Sequence, residues 1–229
     1  MSTWIKVCGT TNLADARLAV SAGADALGFI FAPSPRQVKA EQVTAITDQL
    51  REIDRIGLFV NETPDHIEEI FKRAGLTGVQ LHGDESPEQV LEIRKRLRSY
   101  SSMPQVIKTV RFTPAIAGEL VRFSNPALVD AILIDTFSPH ARGGTGTTFA
   151  WEEAQEIVRC AEMPIIVAGG LNPENVQQAL AMLNPWGVDA TSGLESAPGK
   201  KDAGKVEAFC EAVRRFQSAE AMQIAKERN

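Results

Sequence analysis

Four side chains that can move a proton or grip a hydroxyl stand in or beside short apolar runs. Cys8 closes Trp4–Cys8, His82 follows Val79–Leu81, Asp135 follows Ala131–Ile134, and Asp189 lies inside Val188–Ala190; Asn61 after Ile56–Val60 is a weaker candidate. Thiols and carboxyl groups act as general bases and acids when their surroundings bring them toward the working pH. Most free cysteines are simply small buried hydrophobes, a reading that suffices for Cys160 and Cys210 in helix-like stretches. Cys8 differs because it ends a strand-like run and precedes Gly9-Thr10. Lys6 lies two residues down the same run, roughly 6.6 Å away, near enough for a field effect and too far for a hydrogen bond. Asp135 reads equally well as a loop cap or as a functional acid.

Glycine clusters follow the last three of these runs: Gly143-Gly144-Thr145-Gly146, Gly169-Gly170-Leu171-Asn172 and Ser192-Gly193. Most glycines only serve turns. Glycine-rich loops with free backbone N–H groups also cradle phosphates. Arg36, in Pro33-Ser34-Pro35-Arg36, is either a solvated arginine or a fork for a carboxylate. No H-E-x-x-H or C-x-x-C pattern is present and the histidines are scattered, so no metal site is expected.

These residues need a scaffold that gathers distant positions. Eight strand-like runs, each followed by a helix-like stretch, alternate along the chain, from Trp4–Cys8 and Asn12–Ala22 to Val188–Ala190 and Asp202–Phe216. The runs are rich in Val, Ile, Leu and Phe, as strands buried on both faces are. Thr63-Pro64, Ser86-Pro87, Thr113-Pro114 and Asn172-Pro173 each place a cap residue before a proline at an expected helix start, and Gly23 and Gly75 mark helix ends. Eight βα units predict a parallel eight-stranded (β/α)8 TIM barrel. An open doubly wound sheet would call for a G-x-G-x-x-G turn after the first strand, which is absent. Residues 1–229 read as a single α/β domain, with those after about 217 a C-terminal helical extension. Strand parity turns Lys6 and Cys8, Gln80 and His82, Leu133 and Asp135, and Asp189 into the barrel, while their apolar neighbours face the helices. A barrel's chemistry sits at the C-terminal strand ends, and its phosphate site is commonly built after strands seven and eight.

Composition narrows the function class. The chain has 229 residues, 44% of them apolar, and a net charge of −5. That is ample material for a core and gives no basic face for nucleic acid. No apolar run approaches the ~18–20 residues of a membrane helix. Residues Met1 to Lys6 show no signal-peptide pattern, and three widely spaced cysteines make no disulfide framework, so a cytoplasmic enzyme is expected. The sequence gives no oligomeric state.

Taken together, the motifs resemble a family. Lys6-Val7-Cys8-Gly9, Phe31-Ala32-Pro33-Ser34-Pro35-Arg36, Val79-Gln80-Leu81-His82-Gly83, Leu133-Ile134-Asp135, Gly143 to Gly146, Ala168 to Val176 and Val188 to Glu195 follow the order seen in phosphoribosylanthranilate isomerases of tryptophan biosynthesis. Two positions depart from the usual pattern: Ala150 in Phe149-Ala150-Trp151, where aspartate is usual, and Thr191, where serine is common. The resemblance implies a cofactor-free isomerase acting on a small phosphosugar–anthranilate substrate by an Amadori rearrangement. It implies Asp135 as general acid and Cys8 as general base, with Arg36 on the anthranilate carboxylate and Asp189 on sugar hydroxyls. His82 would line the pocket, and Gly169, Gly170, Ser192 and Gly193 would hold the phosphate. Three alternatives stand beside it. One is a Schiff-base aldolase using Lys6 or Lys108. Another is a phosphosugar-binding barrel without chemistry. The third is a related isomerase of histidine synthesis, which carries aspartate where this chain has Cys8.

Overall fold

The structure is a computed structural model and describes residues 2–135 and 147–227. Eight parallel strands close into a barrel in sequence order. They are β1 (Trp4–Val7), β2 (Ala26–Ile30), β3 (Asp54–Phe59), β4 (Gly78–Leu81), β5 (Gln105–Arg111), β6 (Ala131–Asp135), β7 (Ile165–Ala168) and β8 (Gly187–Ala190). The helices that follow them are α1 (Leu13–Ser21), α2 (Ala40–Thr47), α3 (Pro64–Arg73), α4 (Pro87–Leu97), α5 (Ile116–Phe123), α6 (Thr147–Arg159), α7 (Val176–Leu183) and α8 (Ala203–Glu227). A short antiparallel hairpin, β9 (Glu195–Ala197) with β10 (Lys200–Lys201), stands between β8 and α8. Its strands are too short to show periodicity, but the Pro198-Gly199 dipeptide between them is a turn signal.

Alternation divides the core into two compartments. Ile5, Val7, Val79, Leu81, Ile132, Ile134 and Val188 pack into the shell shared with the helices. Trp4, Ala26, Ile56, Ile107, Ala131, Leu133, Ile166 and Ala168 fill the barrel interior. Trp186 stacks on Trp4 at the N-terminal floor, with ring centroids 5.3 Å apart. Above that floor the interior turns polar, with Lys6, Gln80, Thr109 and Asp189 all buried.

Two of the four expected proline caps act as such. The Thr63 hydroxyl accepts from the His66 N–H, and Ser86 forms a capping box with Gln89. The other two open a preliminary turn. The Thr113 carbonyl accepts from the Ile116 N–H where α5 begins, and the Asn172 side chain accepts from the N–H groups of Glu174 and Asn175 ahead of α7. Gly23 and Gly75 adopt φ of +92° and +61° just past α1 and α3, the left-handed geometry that ends a helix at glycine. The ring closes where β1 pairs with β8, with Lys6 in register with Asp189. At the N-terminal ends of β1 and β2, Arg214 of α8 donates to the carbonyls of Thr3 and Gly23 and to Asp25, whose carboxylate accepts the Ile5 N–H.

Candidate active site

Cys8, Gln80, His82, Leu133, Asp135 and Asp189 share the wall of one cup at the C-terminal strand ends, together with Gly169, Gly170, Thr191 and Ser192. Its volume is about 410 Å³, within the range of small-ligand sites. This face is where a parallel barrel presents side chains from many strands. Cys8 directly follows β1 and Asp135 ends β6, and on the short way round the ring only β7 and β8 stand between those strands. The glycine turns after β7 and β8 therefore lie between the thiol and the carboxyl group.

Charge pairs underlie the thiol. Lys6 and Asp189 are register partners on neighbouring strands with side chains on the same face, and they form a buried ion pair at 3.0 Å. Burial alone would push the Lys6 ammonium down, but Asp189 and Cys8 outweigh it and hold it above the ordinary lysine value. Gly28 on β2 makes room for this arrangement. A Cβ there would stand 2.6 Å from the Cys8 sulfur and 3.0 Å from Lys6 Cε, so the two side chains are neighbours across one glycine. The rise along the strand overstates their separation, because the lysine stem leans toward the thiol.

His82 lies 3.9 Å from Asp135, Nε2 to Oδ2. Its Nδ1 is 3.1 Å from the Gln80 amide nitrogen, which also donates to the Thr109 hydroxyl. With that amide orientation Nδ1 accepts, and the ring proton sits on Nε2, facing Asp135. Burial pushes the His82 pKa down despite the neighbouring carboxylate.

The phosphate-type loops have the backbone such a role needs. Gly169 and Gly170 take φ of +94° and +70° in succession, which glycine alone adopts readily. The Gly170 carbonyl accepts from the Asn175 amide. A side chain at Gly193 would run into the Leu171 carbonyl, so the turns after β7 and β8 meet there without a gap. Among the described residues, the N–H groups of Gly169, Gly170, Ser192 and Gly193 carry no hydrogen bond. The Gly143–Gly146 cluster and the Ala150 side chain lie outside the described residues. At Thr191 the methyl group rests against Gly9, 3.0 Å from where a Cβ would be.

Arg36 stands beside the cup rather than in its lining. Its stem crosses Gly9, and its guanidinium forks onto Glu195, with Nε–Oε1 at 2.8 Å and Nη2–Oε2 at 2.6 Å. Burial would raise the Glu195 pKa, but Arg36, Lys201 and the Gly199 N–H together hold it below the usual carboxylate value. Lys201 is buried too, and donates to the carbonyls of Cys8 at 2.5 Å and Thr191 at 3.2 Å. Sequence reasoning missed Glu195 and Lys201, because their burial depends on the hairpin. Neither lysine of the aldolase alternative reaches the cup as a free amine. Lys6 is paired beneath it. Lys108 points into the helical shell over the Phe123 ring, held by Glu85 at 3.0 Å and by the carbonyls of Leu81, Gly83 and Thr109.

Comparisons with known proteins bear on the family and the fold. The family model "N-(5'phosphoribosyl)anthranilate (PRA) isomerase" matches residues 5–212. The N-(5'-phosphoribosyl)anthranilate isomerase of Pelobacter propionicus is 43% identical over 216 residues, covering 93% of this chain and 97% of that protein. The crystal structure of the Thermotoga maritima phosphoribosyl anthranilate isomerase superposes with a TM-score of 0.78 at 35% identity, over 93% of this chain and 98% of that one. A phosphoribosyl anthranilate isomerase in complex with reduced 1-(o-carboxyphenylamino)-1-deoxyribulose 5-phosphate gives 0.78 at 33% identity, with the same coverage. Among the described residues, no helix is long and apolar enough to cross a membrane. With its motifs in order around a closed barrel and relatives matched over nearly their full length, the chain belongs to the N-(5'-phosphoribosyl)anthranilate isomerase family.

Proposed function

We propose that this protein converts N-(5-phosphoribosyl)anthranilate to 1-(2-carboxyphenylamino)-1-deoxyribulose 5-phosphate, a cytoplasmic step of tryptophan biosynthesis. Asp135 gives a proton to the furanose ring oxygen while the anilino nitrogen lone pair moves in to form C1=N, and the C1–O bond breaks. Cys8, as base, then takes the proton from C2. The C2–H electron pair becomes the C1=C2 bond of an enolamine and the iminium nitrogen is neutralised. Proton transfer from the C2 hydroxyl and to C1 gives the ketone. The observation that carries this reading is a thiol and a carboxyl group on the wall of one cup, with two glycine turns between them.

The remaining roles follow from position. The unpartnered N–H groups of Gly169, Gly170, Ser192 and Gly193 take the phosphate, an anion well suited to converging backbone donors. Asp189 accepts from sugar hydroxyls while its other side holds Lys6. Arg36 binds the anthranilate carboxylate with donors that Glu195 leaves over: its Nη1 has no hydrogen-bond partner among the described residues. His82 lines the wall beside Asp135.

The test follows loss of anthranilate-type fluorescence, with the substrate generated enzymatically. Cys8→Ser and Asp135→Asn are expected to keep the fold and lose about 10²–10⁴-fold in kcat, the usual contribution of a proton-transfer group. Turnover within a few-fold of the parent in either variant removes that residue from the mechanism.

A further inference from the structure

The hairpin after β8 is fastened at three points to the segment that runs from the base into α1. Lys201 Nζ donates to the Cys8 carbonyl at 2.5 Å, the Thr11 hydroxyl donates to the Gly199 carbonyl at 2.6 Å, and the Lys201 N–H donates to Asp15 at 2.9 Å. The Cys8 carbonyl ends β1 and the Thr191 carbonyl follows β8, so one ammonium bridges the open ends of adjacent strands at the closing seam. The segment it fastens is otherwise held by one backbone bond on either side of Gly9, from the Cys8 N–H to the Ala190 carbonyl at 2.9 Å and from the Thr10 N–H to the Gly28 carbonyl at 3.0 Å. Gly9 has no side chain and takes φ of +73°. Arg36 lies across that glycine, and its fork ends on Glu195, which also meets Lys201 at 3.4 Å.

A buried lysine–glutamate pair is a costly way to hold a turn, since apolar residues of similar size often give equal or greater stability. What the ions provide and apolar groups cannot is direction, through hydrogen bonds aimed at one carbonyl and one guanidinium. We infer that Glu195 and Lys201 are positioning residues for the isomerisation: Lys201 fixes the backbone that aims the Cys8 thiol, and Glu195 fixes the orientation of the Arg36 fork. This inference rests on the proposed roles of Cys8 and Arg36. Displacing a reacting group by about an ångström costs up to ~10²-fold in rate, so the two halves predict separate kinetic signatures. Lys201→Met lowers kcat about tenfold with KM nearly unchanged, because the thiol is misaimed while the binding groups stay. Glu195→Gln raises KM about fivefold with kcat nearly unchanged, because the fork loosens.

Steady-state kinetics on the purified full-length variants, referred to the folded fraction from urea denaturation, tests this. A purely structural pair would lower the denaturation midpoint and leave both constants of the folded fraction at parent values, which overturns the inference. A fall in KM for Glu195→Gln overturns its second half, since Glu195 would then compete with substrate for the fork. Should Lys201→Met fail to fold, Thr11→Val carries the first half by removing an outer fastening, together with a 3.5 Å contact from the Asn12 amide to the same hydroxyl. Its expected loss is two- to fivefold in kcat at constant KM, and parent kcat refutes it. Cys8→Ser assayed in parallel separates the failures. If Cys8→Ser remains active, the mechanism fails; if it is inactive while the hairpin variants match the parent, only the inference fails.

Discussion

Arg36 carries two demands at once, since the carboxylate it meets in the structure belongs to the protein and the one it is proposed to bind belongs to the substrate. Arg36→Ala is expected to raise KM at least tenfold with a smaller change in kcat, read from initial rates; an unchanged KM eliminates the carboxylate role. His82 sets a different condition, through pH. Burial holds its folded pKa below the ordinary histidine value, so the unfolded chain takes up the proton first as pH falls. The neutral ring therefore contributes stability at pH above the unfolded value of ~6.5, and that contribution is lost on going below it. Replacing His82 by Gln is expected to flatten the fall in urea midpoint between pH 7.5 and 5.5; parallel slopes in the two proteins contradict it. Cys8, Asp135, Asp189 and His82 were legible because each ends or interrupts an apolar run, where a polar group inside a barrel must sit near its mouth. Glu195 and Lys201 were not, since charged residues on either side of a Pro-Gly turn look the same whether the hairpin is solvated or pressed against β1. Of the two cysteines read as small buried hydrophobes in helices, Cys210 is buried in the core, where burial pushes its thiol up to about 11, whereas Cys160 is exposed just past the end of α6.

Among the elements, the turns after β7 and β8 depend most on having no side chain. Gly193 faces the Leu171 carbonyl at a separation that excludes a methyl group. Gly193→Ala is expected to part the two turns and raise KM about tenfold, ~1.4 kcal/mol of lost binding, with a parallel rise in the inhibition constant of inorganic phosphate. If the phosphate constant stays fixed while KM rises, these turns do not hold the phosphate. Helix starts show where local reading stops. Ser86-Pro87 and Thr63-Pro64 begin helices as their chemistry suggests, while Thr113-Pro114 and Asn172-Pro173 each spend a turn before the helix settles at Ile116 and Val176. Cap and proline signals mark a turn, and packing against the sheet decides whether the helix begins in it.

For the molecule as a whole, the strand count was legible because eight buried apolar runs and eight amphipathic stretches leave few ways to bury both sheet faces. What ties the end of the chain to its beginning was less legible, because the in-register Lys6–Asp189 pair between β1 and β8 and the Arg214 cluster between α8 and β1 link residues some 180 positions apart or more. Arg214 works at the N-terminal face, away from the cup, and about a third of its side chain is exposed. Solvent screening keeps its worth modest. Arg214→Ala is expected to cost about 1 kcal/mol by urea denaturation and leave kcat and KM alone; a change in either constant would tie that cluster to the chemistry. The closed ring has a further consequence. Because β8 hydrogen-bonds to β1 as any neighbours do, the circle has no privileged starting point. A circular permutant that links α8 to β1 and opens at the exposed Met103 turn would be made in a different order and still arrive at the same circle.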